Sequence, residues 1–190
     1  AGCFALCLLA VSGWGLDLRN RSAGAGDTGL ALICVDISKW AVLAAAKQDK
    51  QTRWVVGSNA NLPVLPESLD LVLCLFGFPV YSEFARVLKP GGQVIQVDAG
   101  ADHLRELREV IYPEVKPPGD FESAAPEGFR QLDSTVVRFP LTLPDQASIA
   151  DLLAMTPHLY RASAEGLERA AALESLEVTV DATLKRFEKL

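Results

Sequence analysis

Apolar runs and helix-patterned stretches alternate along most of the chain. "FALCLLAV" (4–11) and "LALICVD" (30–36) are continuous enough in apolar character to be buried strands. "SKWAVLAAAKQ" (38–48) follows as an alanine-rich helix with Ser38 placed to cap it. "RWVVGS" (53–58) reads as a third strand, and "LDLVLCLF" (69–76), apolar on both faces, as a central fourth. "YSEFARVLK" (81–89) predicts a helix closed by the turn signal "KPGG". A fifth strand, "QVIQVD" (93–98), and a helix, "ADHLRELREVIY" (101–112), complete the run.

Strand and helix in alternation with short links predict a doubly wound, mostly parallel sheet with helices on both faces. The rhythm breaks at 113–129, where four prolines and two glycines predict a loop or insertion over the carboxyl edge of the sheet, near a substrate cleft. Two more β segments, 134–143 and 173–189, follow with a helix at 145–155 and a mixed segment at 156–172 between them. The last of these segments reads as an antiparallel addition to the sheet. Residues 1–190 are expected to form one domain.

Bulk composition narrows the function classes. The chain is 49% hydrophobic and 22% charged, ordinary for a soluble globular protein. A net charge of −6 supplies no diffuse positive field, which counts against an autonomous nucleic-acid binder. It does not count against a catalytic domain whose partner module carries the basic surface. Cys3, Cys7, Cys34 and Cys74 all sit in or beside strand-like runs, so buried thiols in a reducing compartment are expected. Cys3 and Cys7 have no second ligand pair at finger-like spacing, so no metal is expected. The opening "AGCFALCLLAVSG" has no basic flank and reads as a buried strand, not a secretory signal. No apolar run reaches transmembrane length.

The chemistry should gather beyond the carboxyl ends of the first strands. Gly13 and Gly15, in "VSGWGLDL", let backbone amides approach a ligand closely. Asp36 closes the second strand 23 residues after Gly13, where an acid can accept hydrogen bonds from ribose hydroxyls. "SNANLP" offers Asn59, an amide able to meet an adenine edge. A dinucleotide fingerprint needs a third glycine, and this turn has two before Leu16 and Asp17.

Strand-end "LDLVLCLF", helix, "RVLKPGG" and strand "QVIQV" have the layout of class I S-adenosylmethionine-dependent methyltransferases. More particularly, "VDISKWAVLAAAKQ", "NLPVLPESLDLVL", "EFARVLKPGGQVI", "DHLRELREVIYPEV" and "MTPHLYRASAEGLE" resemble the bacterial methyltransferases that modify the N1 nitrogen of a guanine in large-subunit (23S) ribosomal RNA. The resemblance runs over nearly the whole chain. It implies a Rossmann-like α/β fold with a seven-stranded, mostly parallel sheet and an antiparallel C-terminal strand. It also implies S-adenosyl-L-methionine as cofactor, no metal in this chain, ribosomal RNA as partner and cytoplasmic residence, with no membrane contact. A homodimer is among the assemblies open to it. In the family, Gly15 and Leu16 would line the methionine part of the donor, Asp36 would hold the ribose, and the Ser58–Ala60 loop, with Asn59 and Ala60, would flank the adenine; Gly13 and Ile37 are also expected at the cofactor. His103 matches a donor-contacting histidine; His158, Tyr160 and Arg161 fall near the guanine pocket. Phe76 and Phe78, in "FGFP", could stack on a base taken out of its helix.

The departures from the family are specific. Val11 stands where the family has an acid, Asp17 where it has glycine, and the amino-terminal zinc-binding module of such enzymes is not in this sequence. Two alternatives therefore stand beside the ribosomal RNA enzyme: a degenerate methyltransferase fold kept as a binding module, and a methyltransferase for small molecules. The reaction itself would be an in-line methyl transfer governed by positioning. The guanine N1 proton must also be removed, and no residue stands out as its base. Arg105, Arg108, Lys116, Arg161, Lys185, Arg186 and Lys189 would favour RNA if they gathered on one face, and a solvated scatter would not.

Overall fold

The computed structural model describes residues 6–11, 31–115 and 124–190. The elements are β1 (Leu6–Val11), β2 (Ala31–Asp36), α1 (Lys39–Gln48), β3 (Arg53–Val56), β4 (Leu69–Leu75), α2 (Tyr81–Val87), β5 (Leu88–Ala99), α3 (Arg105–Ile111), β6 (Phe129–Leu143), α4 (Gln146–Ala154), a 3₁₀ turn (Pro157–Tyr160), α5 (Ala164–Ala171) and β7 (Leu176–Lys189). The strands lie side by side in the order β3-β2-β1-β4-β5-β7-β6. Described residues fall into two compact units. The first takes 6–11, 31–96, 125–133 and 185–190; the second takes 97–115, 124 and 134–184.

In the first unit β4 is the center of the core, with Leu69 and Val72 fully buried and Cys74 beside them. Phe84 and Val87 of α2 pack onto it together with Val94 and Phe187. Tyr81 meets Phe84, Phe129 and Phe187 edge-on or tilted, at ring separations of 6.1, 5.8 and 5.9 Å. Its hydroxyl donates to Gln96 Oε1, so the one polar atom of this aromatic cluster is satisfied. Cys34 and Cys74 are buried on β2 and β4 as their apolar surroundings require.

The expectation of a mostly parallel sheet is corrected. β2 and β3 are parallel, but β1 runs antiparallel to both β2 and β4, so the sheet is mixed. A strand apolar at nearly every position carries no polarity in its pattern, so β1's own sequence leaves its direction to its neighbours. The antiparallel choice places Val11 beside Ala31.

In the second unit Leu104, just ahead of α3, and Leu107 and Ile111 within it pack with Ile149, Leu153, Ala170 and Val178. Three helices in the two units start where a side chain accepts an amide left over in the first turn: Ser38 from Ala41 N (3.3 Å), Asp145 from Ser148 N (2.7 Å) and Ser163 from Gly166 N (3.1 Å). The helix expected over 101–112 begins only at Arg105, because Leu104 sits in the left-handed region (φ 52) with no side-chain cap. "KPGG" also differs from expectation. It lies inside β5, where Gly91 takes φ 74 and a Cβ on Gly92 would meet Lys89 O at 2.9 Å. Among the described residues no helix is long and apolar enough to cross a membrane.

Candidate functional site

β2 and β3 end together, Asp36 opposite Val56. Cys7 of β1 pairs with both Val35 and Cys74, so β4 ends at this same edge and Phe76 lies just beyond it. Three strand ends thus deliver Asp36, the 57–61 turn and the 76–78 turn to one place in the first unit. Gly57 N donates to Asp36 O (3.0 Å), and Ser58 and Asn61 close a tight turn by a β-bridge. Asn59 Nδ2 donates to Phe78 O (3.1 Å), which ties the turn after β3 to the turn after β4.

Each group at this edge has a distinct chemistry. Asp36 is 4% exposed, and its Oδ1 accepts from Ser38 N at 2.6 Å. Burial raises its carboxyl above the usual aspartate range, and the Ser38 hydrogen bond only partly opposes this. Two carboxylate oxygens offer about four acceptor sites, so the Ser38 bond does not exhaust them. Ile37 beside it is 67% exposed. Ala60 is exposed, its amide donating to Ser58 Oγ (3.2 Å). Phe76 holds φ 51, a conformation that costs a bulky residue about 1–3 kcal/mol. Phe78 is 78% exposed, a poor use of an aromatic ring unless something covers it. An acceptor for a diol, an apolar flank and two open aromatic rings suit a nucleoside, so the residues present fit a nucleoside-type donor.

Gly13, Gly15 and Leu16 lie outside the described residues. Val11, two residues before Gly13, pairs with Ala31 at the start of β2. β1 therefore leaves the sheet at the end opposite Asp36, about 17 Å away along the strand at the usual rise per residue.

The other expected residues fall in the second unit. Asp181 N donates to His103 Nδ1 (3.3 Å), and burial pushes the His103 imidazole below its usual range. His158 Nδ1 lies 2.9 Å from the Tyr112 hydroxyl, with the rings edge-to-face at 5.6 Å. Burial pushes His158 down, and the positive charges of Arg108 and Arg161 and the nearby His103 push the same way. Burial also raises the Tyr112 hydroxyl. Arg161 N donates to His158 O (3.0 Å), and Tyr160 is exposed. Sequence reasoning does not single out Tyr112, the partner of His158, because an aromatic at the end of an amphipathic helix carries no signal beyond packing.

A test of this burial follows from linkage. Both histidines have folded values below their unfolded ones, so their contribution is complete above about pH 6.5. It is lost as pH falls through the folded values, because the unfolded chain then binds more protons. The melting temperature should fall between pH 7.5 and 5.5, and His158→Gln should make that fall shallower. An unchanged slope in the variant would rule out His158 as a source.

Several of the cations singled out from the sequence are paired, and Lys116 lies outside the described residues. Arg105 is paired with Asp102 (3.1 Å) and Glu109 (2.8 Å), Arg186 with Asp133 (2.5 Å), and Lys189 reaches Leu88 O (2.8 Å) with Glu67 at 3.7 Å. Among the described residues no three His, Cys, Asp or Glu side chains cluster so as to hold a metal ion.

Comparison with known proteins bears on what kind of domain presents this edge: residues 13–96, from Gly13 into β5, match the methyltransferase-domain family, and that stretch holds Asp36 and both turns. The chain is 33% identical over 151 residues to YxjB of Bacillus subtilis (strain 168), whose assignment as a 23S rRNA (guanine-N(1)-)-methyltransferase is itself provisional. That match covers 77% of this chain and 53% of YxjB, so the chain spans about half the length of this curated relative. Among solved structures, one described for the conversion of a disulfide bond into a thioacetal group during echinomycin biosynthesis aligns with a TM-score of 0.50 and 14% identity. It covers 82% of this chain and 65% of that one, and it supports the Rossmann-like α/β fold. The YcgJ protein from Bacillus subtilis aligns with a TM-score of 0.46 and 19% identity, over 83% of this chain and 81% of that one. The methyltransferase-domain match ends inside β5, so His103, His158, Tyr160 and Arg161 lie beyond it.

Proposed function

We propose that the chain transfers a methyl group from S-adenosyl-L-methionine to the N1 nitrogen of a guanine in large-subunit ribosomal RNA. The observation that carries the reading is the edge where a buried acid, an amide turn and two open aromatic rings meet inside the methyltransferase-domain segment. The RNA specificity rests on the resemblance of the whole chain to the guanine-N1 family and on the match to YxjB. When bound, the donor supplies an electrophilic methyl group. Asp36 accepts hydrogen bonds from its ribose and Asn59 and Ala60 flank its adenine, while the resemblance assigns Gly13, Gly15, Leu16, Ile37 and His103 to the donor as well. Asn59, through Phe78 O, also fixes the aromatic turn. Phe76 and Phe78 stack on the target base, and the resemblance assigns His158, Tyr160 and Arg161 to the substrate. On this reading residues 1–190 act as one domain in the cytoplasm.

The test is methyl incorporation from labelled donor into a 23S ribosomal RNA fragment, mapped by primer extension, since methylation at guanine N1 blocks pairing. A stop at one guanine supports the proposal. Incorporation only into a small nucleophile would replace RNA with a small-molecule substrate. A second reading, a binding module that has lost its donor, draws on one observation: β1 leaves the sheet at the end away from Asp36. Calorimetry with S-adenosylmethionine separates the two, because the module binds none at millimolar concentration.

A further inference from the structure

We propose that Arg108, Tyr112, His158 and Arg161, all in the second unit, form a site for a phosphate group. Arg108 spends Nη2 on Ala101 O (2.6 Å), while its Nε is buried with no hydrogen-bond partner. Native structures rarely leave a buried charged donor without an acceptor, and a missing ion is among the usual reasons. Tyr112 stands four residues along α3 from Arg108, at the spacing that places both side chains on one face. Its hydroxyl holds His158 at Nδ1, and Arg161 follows His158 within a single hydrogen-bonded turn.

The charge around His158 is one-sided. The groups that face it are Arg108, Arg161, His103 and Tyr112, with no carboxylate among them. Asp181 faces His103 instead and accepts from Asp102 N at 3.0 Å. Two permanent cations, an imidazole and a phenol therefore converge from α3 and the 3₁₀ turn, and among the described residues neither Arg108 nor Arg161 forms an ion pair with a carboxylate. Guanidinium forks with neutral donors beside them match the several oxygens of a phosphate. A phosphodiester of RNA and a free phosphate monoester share this chemistry. The RNA source rests on the methyltransferase reading above; the site itself does not.

The chain has two histidines, so proton NMR of the imidazole C2 protons reports each separately once His103→Gln and His158→Gln assign them. The whole chain is titrated with inorganic phosphate against chloride at matched ionic strength. Phosphate should raise the His158 midpoint by about half a pH unit or more, since an anion favours the charged imidazole. Arg161 is exposed, so Arg161→Gln should fold normally, and it should weaken the phosphate response by about fivefold. If phosphate moves neither histidine, or if Arg161→Gln responds like the parent chain, the site is overturned. Displacement of phosphate by an RNA oligonucleotide without terminal phosphates identifies a diester ligand, and displacement by glycerol phosphate a monoester. Displacement by neither also overturns it. No methyl donor enters this measurement, so a chain inactive in methyl transfer that still answers to phosphate separates the two proposals.

Discussion

Asp36→Asn is expected to weaken binding of S-adenosylhomocysteine by about 10- to 100-fold, the range of one or two hydrogen bonds to a charged acceptor. Asparagine is nearly the same shape, and its Oδ1 can still accept from Ser38 N, as the Asp36 Oδ1 does at 2.6 Å. What disappears is the second acceptor oxygen and the charge. Because burial raises the Asp36 carboxyl, ionising it in the folded chain is costly, and that cost is present at neutral pH. The neutral variant carries no such cost, so its melting temperature should be unchanged or higher while donor affinity falls. Calorimetry and a thermal melt on the same sample measure both. An affinity within twofold of the parent would remove Asp36 from the donor site. A loss of affinity together with a lower melting temperature would make it a structural cap.

Gly166→Ala should cost about 3 kcal/mol in urea unfolding, although alanine is the better helix former by about 1 kcal/mol. Gly166 is buried in α5, and a Cβ there would lie 2.1 Å from Ile111 O and 2.9 Å from Ile111 C. Those atoms are backbone at the end of α3, so relief requires moving one helix against the other. Val178 and Ala170 in the same core would lose contact as the helices part. A variant as stable as the parent would mean that α3 and α5 can separate freely.

Much of the fold could be read before the structure. Ser38 was placed as the cap of α1 from its position ahead of an alanine-rich run, and it accepts from Ala41 N as that reading requires. The apolar run 69–76 became the buried center of the sheet as Leu69–Leu75, interrupted only by Asp70, whose carboxylate Lys89 Nζ reaches at 2.9 Å. Patterns fail where information is not local. The direction of β1 depends on its neighbours, and the left-handed Leu104 depends on the turn it closes, with its amide donating to Thr179 O. Of the site, Asp36 and Asn59 were legible because strand ends mark the ligand edge of an open α/β sheet. The bond from Asn59 to Phe78 O joins residues far apart in sequence and leaves no trace in spacing. Tyr112 was opaque for the same reason: its partner, His158, comes from a later turn.

The last strand has a consequence for how the chain is made. Phe187 belongs to the core around Phe84 and Tyr81; Lys189 Nζ donates to Leu88 O (2.8 Å), and Leu190 N donates to Gly128 O (3.0 Å). The first unit is built mainly from residues before 97, yet residues 185–190 complete it. Vectorial folding on the ribosome must therefore leave the Phe84 core open until residues 185–190 have emerged as well. During that interval the nascent protein presents an unfinished apolar face to the chaperones that wait at the exit.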